Sequence, residues 1–225
     1  MKTLTTLFVC IVLTLFSSCN QRQKQENVVT KSVDTLTTIT EKLPVNEEEK
    51  TFRYDVDDLP DELLEFIPTN YSILNNTSGD LNLDGINDCI LVLKKNGEDT
   101  LSDVTENPER RPLLILLRDK NNKLKLAKRN DNTVLCVDCG GVLGDPFMGI
   151  TIKNGYFSVE HYGGSAWRWT YIVTYKYSKE DNEWLLHKAG GDSYHTSEPN
   201  KVESSVRTTK DFGKVKFETF DIYEE

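Results

Sequence analysis

From residue 71 onward the hydrophobic pattern has a period of two, with no sustained helical stripe. Tyr71 to Leu74 and Cys89 to Lys94 flank a polar stretch, so they predict two antiparallel strands joined by it. Leu113 to Leu117 is a continuous apolar run, the signature of a strand buried on both faces. Lys123 to Lys128 alternates Leu124 and Leu126 with lysines, and Thr133 to Val137 reads as a further strand. Gly149 to Lys153 and Tyr156 to His161 enclose Asn154-Gly155, a dipeptide whose preference for positive φ suits a tight hairpin turn. The next segment sorts cleanly by side: Trp167, Trp169, Tyr171, Val173, Tyr175 and Tyr177 on one, Arg168, Thr170, Ile172, Thr174 and Lys176 on the other. A polar turn then returns the chain to Glu183 to Lys188. Residues 190 to 210 read as loop with an edge strand, and Val215 to Phe220 as a closing strand.

One helix is expected, ahead of the strands. Asp58 can cap it, Pro60 suits its first turn, and Asp61 and Glu62 favour its positive end. Leu59, Leu63, Leu64, Phe66 and Ile67 supply its apolar face, and Pro68 ends it. No repeat of fixed period is present, which argues against a propeller. The expected fold is therefore mainly β: an antiparallel meander, packed as a sandwich or a strongly twisted sheet, with one short N-terminal helix.

Before residue 57 the pattern changes. Leu7 to Phe16 is apolar, follows Lys2, and is too short to span a bilayer comfortably. The sequence Leu15-Phe16-Ser17-Ser18-Cys19 resembles the lipobox of bacterial lipoproteins, with Phe16 where Leu is usual. That resemblance implies a signal peptide over 1–18 and acylation of Cys19. Residues 19–56 are polar and almost free of aromatic side chains, and read as a flexible tether to a single β-rich domain over 57–225. With Asn20 after the cysteine, sorting of the enteric type implies the outer membrane, facing the periplasm. A formal charge of −9 over 225 residues argues against nucleic-acid binding and against electrostatic attraction to anionic lipid. The membrane is then reached through the lipid anchor rather than through charge.

The chemistry concentrates in Asp80-Leu-Asn-Leu-Asp-Gly-Ile-Asn-Asp88. Asp80, Asn82, Asp84 and Asp88 hold loop positions 1, 3, 5 and 9, and Gly85 stands at position 6, where a sharp turn is needed. With the Ile86 carbonyl and water, these hard oxygens suit Ca²⁺ rather than zinc or copper. The loop resembles those of FG-GAP and VCBS-type β-repeats, in which D-x-D-x-D-G-x-x-D joins two strands; here Asn82 replaces the second Asp. It departs from an EF-hand, since Leu91 at position 12 cannot ligate. The resemblance implies a structural Ca²⁺ of modest affinity, on the order of 10⁻⁴ to 10⁻³ M. The competing reading is a metal-free turn, because Asp, Asn and Gly favour turns on their own account.

Three other features bear on function. Cys136 and Cys139 fit a small-loop disulfide in an exported protein or a pair of free thiols, with Cys89 a buried thiol. His161, Trp167, Arg168 and Trp169 form a candidate ligand surface for a glycan or protein partner. Against that, both indoles share a side with Tyr171 and Val173 and read more simply as core, as does His161 beside Phe157 and Val159. Ser193 and His195 share a strand face without a nucleophile elbow or oriented carboxylate, so no catalytic set is assigned. The expectation is a lipid-anchored, envelope-associated binding module; the alternative is an envelope hydrolase acting on glycan or peptide through His161 to Trp169.

Overall fold

A computed structural model describes residues 60–224. The expected signal peptide, Cys19 and the whole of the expected tether lie outside the described residues, as do Asp58 and Leu59 of the expected helix. Within them the chain is mainly β, in two antiparallel sheets. The first contains β1 (Tyr71–Gly79), β2 (Asp88–Lys95), β3 (Leu113–Arg118) and β4 (Leu124–Asn130), in sequence order. The second contains β5 (Phe147–Lys153), β6 (Tyr156–Gly164), β7 (Trp167–Ser178), β8 (Glu183–His195) and β9 (Val202–Thr208), also in order. Each sheet is a pure meander, in which every strand pairs with its successor in sequence.

The first sheet is buried on both sides, as the apolar run of β3 requires. Its inner side sends Ile90, Val92, Leu113 and Ile115 into a core shared with Phe157, Val159, Val173, Tyr175, Trp184 and Leu186 of the second sheet. Its outer side presents Cys89, Leu91, Leu93, Leu114 and Leu116 to a second cluster that includes Leu63. Leu63 belongs to α1 (Asp61–Leu64), so the short N-terminal helix roofs the sandwich with Phe66 and Ile67 beside it. The Cys89 thiol is buried there, and desolvation pushes its pKa up to about 11, which leaves it unreactive.

Four expectations about individual segments change. Thr133 to Val137 is not a strand; it runs as irregular chain into a turn over residues 137–140. The polar stretch after Gly97 contains a helical turn, α2 (Glu98–Leu101), with Glu98 buried. Val215 to Phe220 does not close the sheet. It makes one bridge, Leu185 to Lys216, and then a 3₁₀ turn whose Phe217, with Phe220 and Ile222, seals the core. Asn130 Nδ2 donates to the Phe217 and Phe220 carbonyls, which fastens this tail to β4. Residues 190–210 are more ordered than expected, with β8 continuing to His195 and β9 forming the sheet edge, followed by α3 (Thr209–Phe212).

Candidate functional site

Strand lengths create the principal cavity. The strands of the first sheet have 9, 8, 6 and 7 residues, whereas β7 and β8 have 12 and 13. At roughly 3.3 Å per residue, the longer pair overruns the facing sheet by several residues. The inner side of that overhang has no sheet opposite it. Its cavity of about 610 Å³ lies within the roughly 300–1,000 Å³ common for small-ligand sites.

Register fixes what faces this space. Trp169 pairs with Ser193, and Ser193 in turn with Glu203 on β9; Ala189 pairs with Arg207 and Gly191 with Ser205. Trp169 and Tyr171 therefore bring aromatic surface, while Ser193, Ser205, Glu203 and Arg207 bring donors and acceptors. Gly191 is needed where β8 passes close to its neighbour, because a Cβ there would collide with the Thr170 carbonyl. Burial pushes the Tyr171 phenol above its ordinary pKa, outweighing the positive charge of Arg207 that would favour its ionised form. Leu135 and Ile222 close the opposite wall.

Leu135 is held from both ends of its peptide unit. Its N–H donates to His161 Nε2 at 3.2 Å, and its carbonyl accepts from Arg111 Nη1 at 3.2 Å. Arg111 is fully buried and forks onto two carboxylates, Glu98 (2.6 and 3.0 Å) and Asp145 (2.7 and 2.7 Å). Burial opposes its charge, but the hydrogen bonds it donates to Asp145 and Glu98 outweigh that and raise its pKa. The disulfide between Cys136 and Cys139 follows directly in the chain, and Asp138 inside it accepts from Ser102 Oγ (2.6 Å) and the Val104 N–H (2.9 Å). A buried ion-pair network and a short covalent loop thus set the cavity wall.

The structure separates the four residues of the candidate ligand surface. His161 is buried, with Nδ1 3.3 Å from the Tyr171 carbonyl and Nε2 accepting from Leu135. Those partners place its one proton on Nδ1, and desolvation lowers its pKa to about 4. Arg168 lies on the outer side and donates to the Gly164 carbonyl at 3.3 Å. Trp169 lines the cavity. Trp167 is 54% exposed, so the core expectation fails at this indole, which meets His195 edge-on at 5.3 Å near the hairpin tip. His195 Nδ1 pairs with Ser197 Oγ at 2.7 Å, and neither histidine lines the cavity.

The lowered His161 pKa has a direct consequence for stability. The unfolded chain takes up this proton near pH 6.5, the folded chain only near 4. Stability from this residue is therefore complete above pH 6.5 and is lost as pH falls toward 4, by roughly 3 kcal/mol. His161→Gln should flatten the acid limb of a plot of urea midpoint against pH. Parallel losses in both proteins between pH 7 and 4.5 would refute that assignment.

The acidic loop is built on its own side chains. Asp80 accepts from the Asp84 N–H (3.1 Å) and the Gly85 N–H (3.0 Å), one on each carboxylate oxygen. Asp84 Oδ1 accepts from the Ile86 N–H at 2.8 Å, and Asn82 Oδ1 accepts from the Asp84 N–H at 3.0 Å. Left-handed backbone at Leu83 (φ 63°) and Gly85 (φ 86°) turns these N–H groups inward. Asp88 is fully buried and takes the Leu81 and Arg118 N–H groups, each at 3.0 Å. Desolvation, reinforced by Asp84 and Asp80, raises its pKa despite those bonds.

This donor set fits Ca²⁺ chemically, since every carboxylate oxygen that accepts one N–H keeps a second lone pair. Asn82 Nδ2 donates to Asp84 Oδ2 at 3.0 Å, and that bond must open for both side chains to ligate one ion. Among the described residues, the group whose ligand atoms all lie within 4.8 Å of one another is Cys136, Asp138 and Cys139. Its sulfurs are already joined in the disulfide, so they are not available as thiolate ligands.

No protein-family model, curated protein or solved structure matches this chain.

Proposed function

We propose that the chain is a lipid-anchored, exported β-domain that binds a glycan in the cavity between the β7–β9 overhang and Leu135. The carrying observation is the composition of that cavity. Trp169 and Tyr171 supply aromatic surface beside Ser193, Ser205, Glu203 and Arg207. A sugar ring offers apolar C–H faces and a rim of hydroxyls that donate and accept, which calls for this mixture. An anionic phosphate ligand is disfavoured by Glu203 at the site and by the overall charge of −9. The lipobox-like ending at Cys19 supports the anchor, and envelope placement puts glycans within reach of the tether.

Binding to a glycan array should therefore be lost in Trp169→Ala, by about tenfold or more, while the melting temperature stays close to that of the parent. Equal binding by parent and variant would sink the glycan reading.

Ca²⁺ is proposed as a structural ion held by Asp80, Asn82, Asp84, the Ile86 carbonyl and Asp88. Its support is the positional match together with a loop already turned onto Asp80. At ten times its dissociation constant, calcium should raise the melting temperature by about 3 °C over chelator. That difference should vanish in Asp84→Ala, and identical parent melts with and without calcium would remove the ion from the account.

A further inference from the structure

The outer side of the second sheet carries a recess of its own. It is a shallow trough of about 400 Å³ whose lining includes Lys153, Tyr156, Ser158, Thr174, His187 and Lys188. Register explains why these residues meet. Tyr156 on β6 pairs with Lys153 on β5 and with Lys176 on β7, so two lysines flank one ring. Two residues along, Ser158 pairs with Thr174, and Thr174 with Lys188 on β8. The hydroxyls of Ser158 and Thr174 bond each other at 2.9 Å and make a small polar floor. At this level β8 is bulged: Thr174 pairs with Lys188 but Tyr175 with Leu186, which leaves His187 as the extra residue. A bulge re-aims side chains that would otherwise alternate, and here His187 and Lys188 both line the trough.

No carboxylate lines this trough, in a chain whose formal charge is −9. Glu160, the next outward residue of β6 after Ser158, accepts from Thr151 Oγ1 at 2.8 Å. Lys153 and Lys188 have no ion-pair partner among the described residues, and Lys176 Nζ lies 5.3 Å from the centroid of the Tyr156 ring. Like charges gathered on neighbouring strands repel, and a bound anion turns that repulsion into attraction. Screening limits distant charges to a range of roughly 8 Å at physiological ionic strength, so the three ammonium groups set the local field rather than the net charge.

We propose that this trough binds the phosphate monoester of a small saccharide. Three ammonium groups exceed what one carboxylate neutralises, whereas a phosphate monoester brings nearly two negative charges at neutral pH. In the Ser158–Thr174 pair one hydroxyl gives its proton to the other, which leaves the second free to donate to a phosphate oxygen. Tyr156 and His187 meet edge to face, with ring centroids 5.2 Å apart, and form a wall against which a sugar ring can lie. The volume of about 400 Å³ is toward the lower end of small-ligand sites, which suits one or two rings rather than a polymer. On β7, Thr174 and Lys176 face the side opposite Trp169, so the proposal is independent of what the inner cavity binds.

Calorimetric titration with mannose 6-phosphate and with inorganic phosphate tests this, using the full-length chain carrying Trp169→Ala so that the inner cavity does not contribute. Mannose 6-phosphate is expected to bind, and inorganic phosphate to bind about tenfold more weakly. Adding Lys153→Gln with Lys188→Gln should weaken the sugar phosphate by about tenfold or more, with the melting temperature unchanged because both side chains are exposed. Lys153→Arg with Lys188→Arg keeps the charge and should hold the affinity within about threefold. Absence of binding by mannose 6-phosphate, or binding of inorganic phosphate just as tight, would overturn the proposal. So would an affinity that the glutamine pair leaves unchanged, or equal losses in the glutamine and arginine pairs.

Discussion

Arg111→Met should lower stability by about 3–5 kcal/mol, equivalent to roughly 10 °C in melting temperature for a domain of this size. The reason is what the substitution leaves behind. Arg111 has no exposed side-chain surface, Glu98 is 7% exposed and Asp145 38%. Removing the guanidinium strands the Glu98 carboxylate in the interior, whereas water can solvate Asp145 in part. The penalty is therefore one of orphaned charge more than of a lost attraction. A second substitution separates the two: adding Glu98→Leu to Arg111→Met should recover more than half of the loss, since replacing a buried ion pair by apolar groups is often near neutral. Urea midpoints for the parent, single and double variants measure both steps. A loss below 1 kcal/mol in the single variant, or no recovery in the double, would contradict this account. Because Arg111 also holds the Leu135 carbonyl, the glycan affinity proposed above should fall in the double variant even where stability returns.

This network shows what kinds of feature a single sequence conceals. Arg110-Arg111 follows a polar acidic stretch and looks like surface, yet one arginine stacks on Tyr223 at 3.6 Å and the other is fully buried. Nothing in residue spacing pairs Arg111 with Glu98 and Asp145, which lie 13 and 34 positions away. Thr133 to Val137 misleads for a related reason. Its apolar composition suits a strand, but the carbonyl and N–H of Leu135 are taken by Arg111 and His161 instead of a ladder. By contrast, the β7 alternation and the Asn154-Gly155 hairpin are legible, because each depends on local geometry and period alone. The cavity falls between these cases. Alternation correctly puts Trp169 on the inner side with Val173 and Tyr175, but whether an inner residue is covered depends on how far the other sheet reaches. That length mismatch emerges only once both sheets are assembled.

Leu81→Ala should be the second large loss, about 2–5 kcal/mol, although the residue sits at the second position of an acidic surface loop. An exposed loop leucine would change stability by no more than about 0.5 kcal/mol. Leu81 differs because it is fully buried within the core shared by both sheets. Its N–H donates to Asp88 Oδ2 at 3.0 Å, and its carbonyl accepts Trp184 Nε1–H at 3.2 Å. One residue of the loop thus links the β1–β2 turn to β8 of the opposing sheet. Leu83 extends the same contact by packing over Gly155, where a Cβ would come within 2.9 Å of its Cγ. The loop that resembles a calcium site is therefore a clasp between sheets, and any ion bound there would act by holding this clasp closed. Calcium and Leu81 can be told apart by measurement. Leu81→Ala should show its full loss in chelator, because the cavity it leaves does not depend on the ion. Asp84→Ala should leave chelator stability nearly unchanged and abolish only the calcium increment. Were Leu81→Ala neutral in chelator and costly only with calcium, the apolar anchor would not be what joins the sheets, and the ion would take that role.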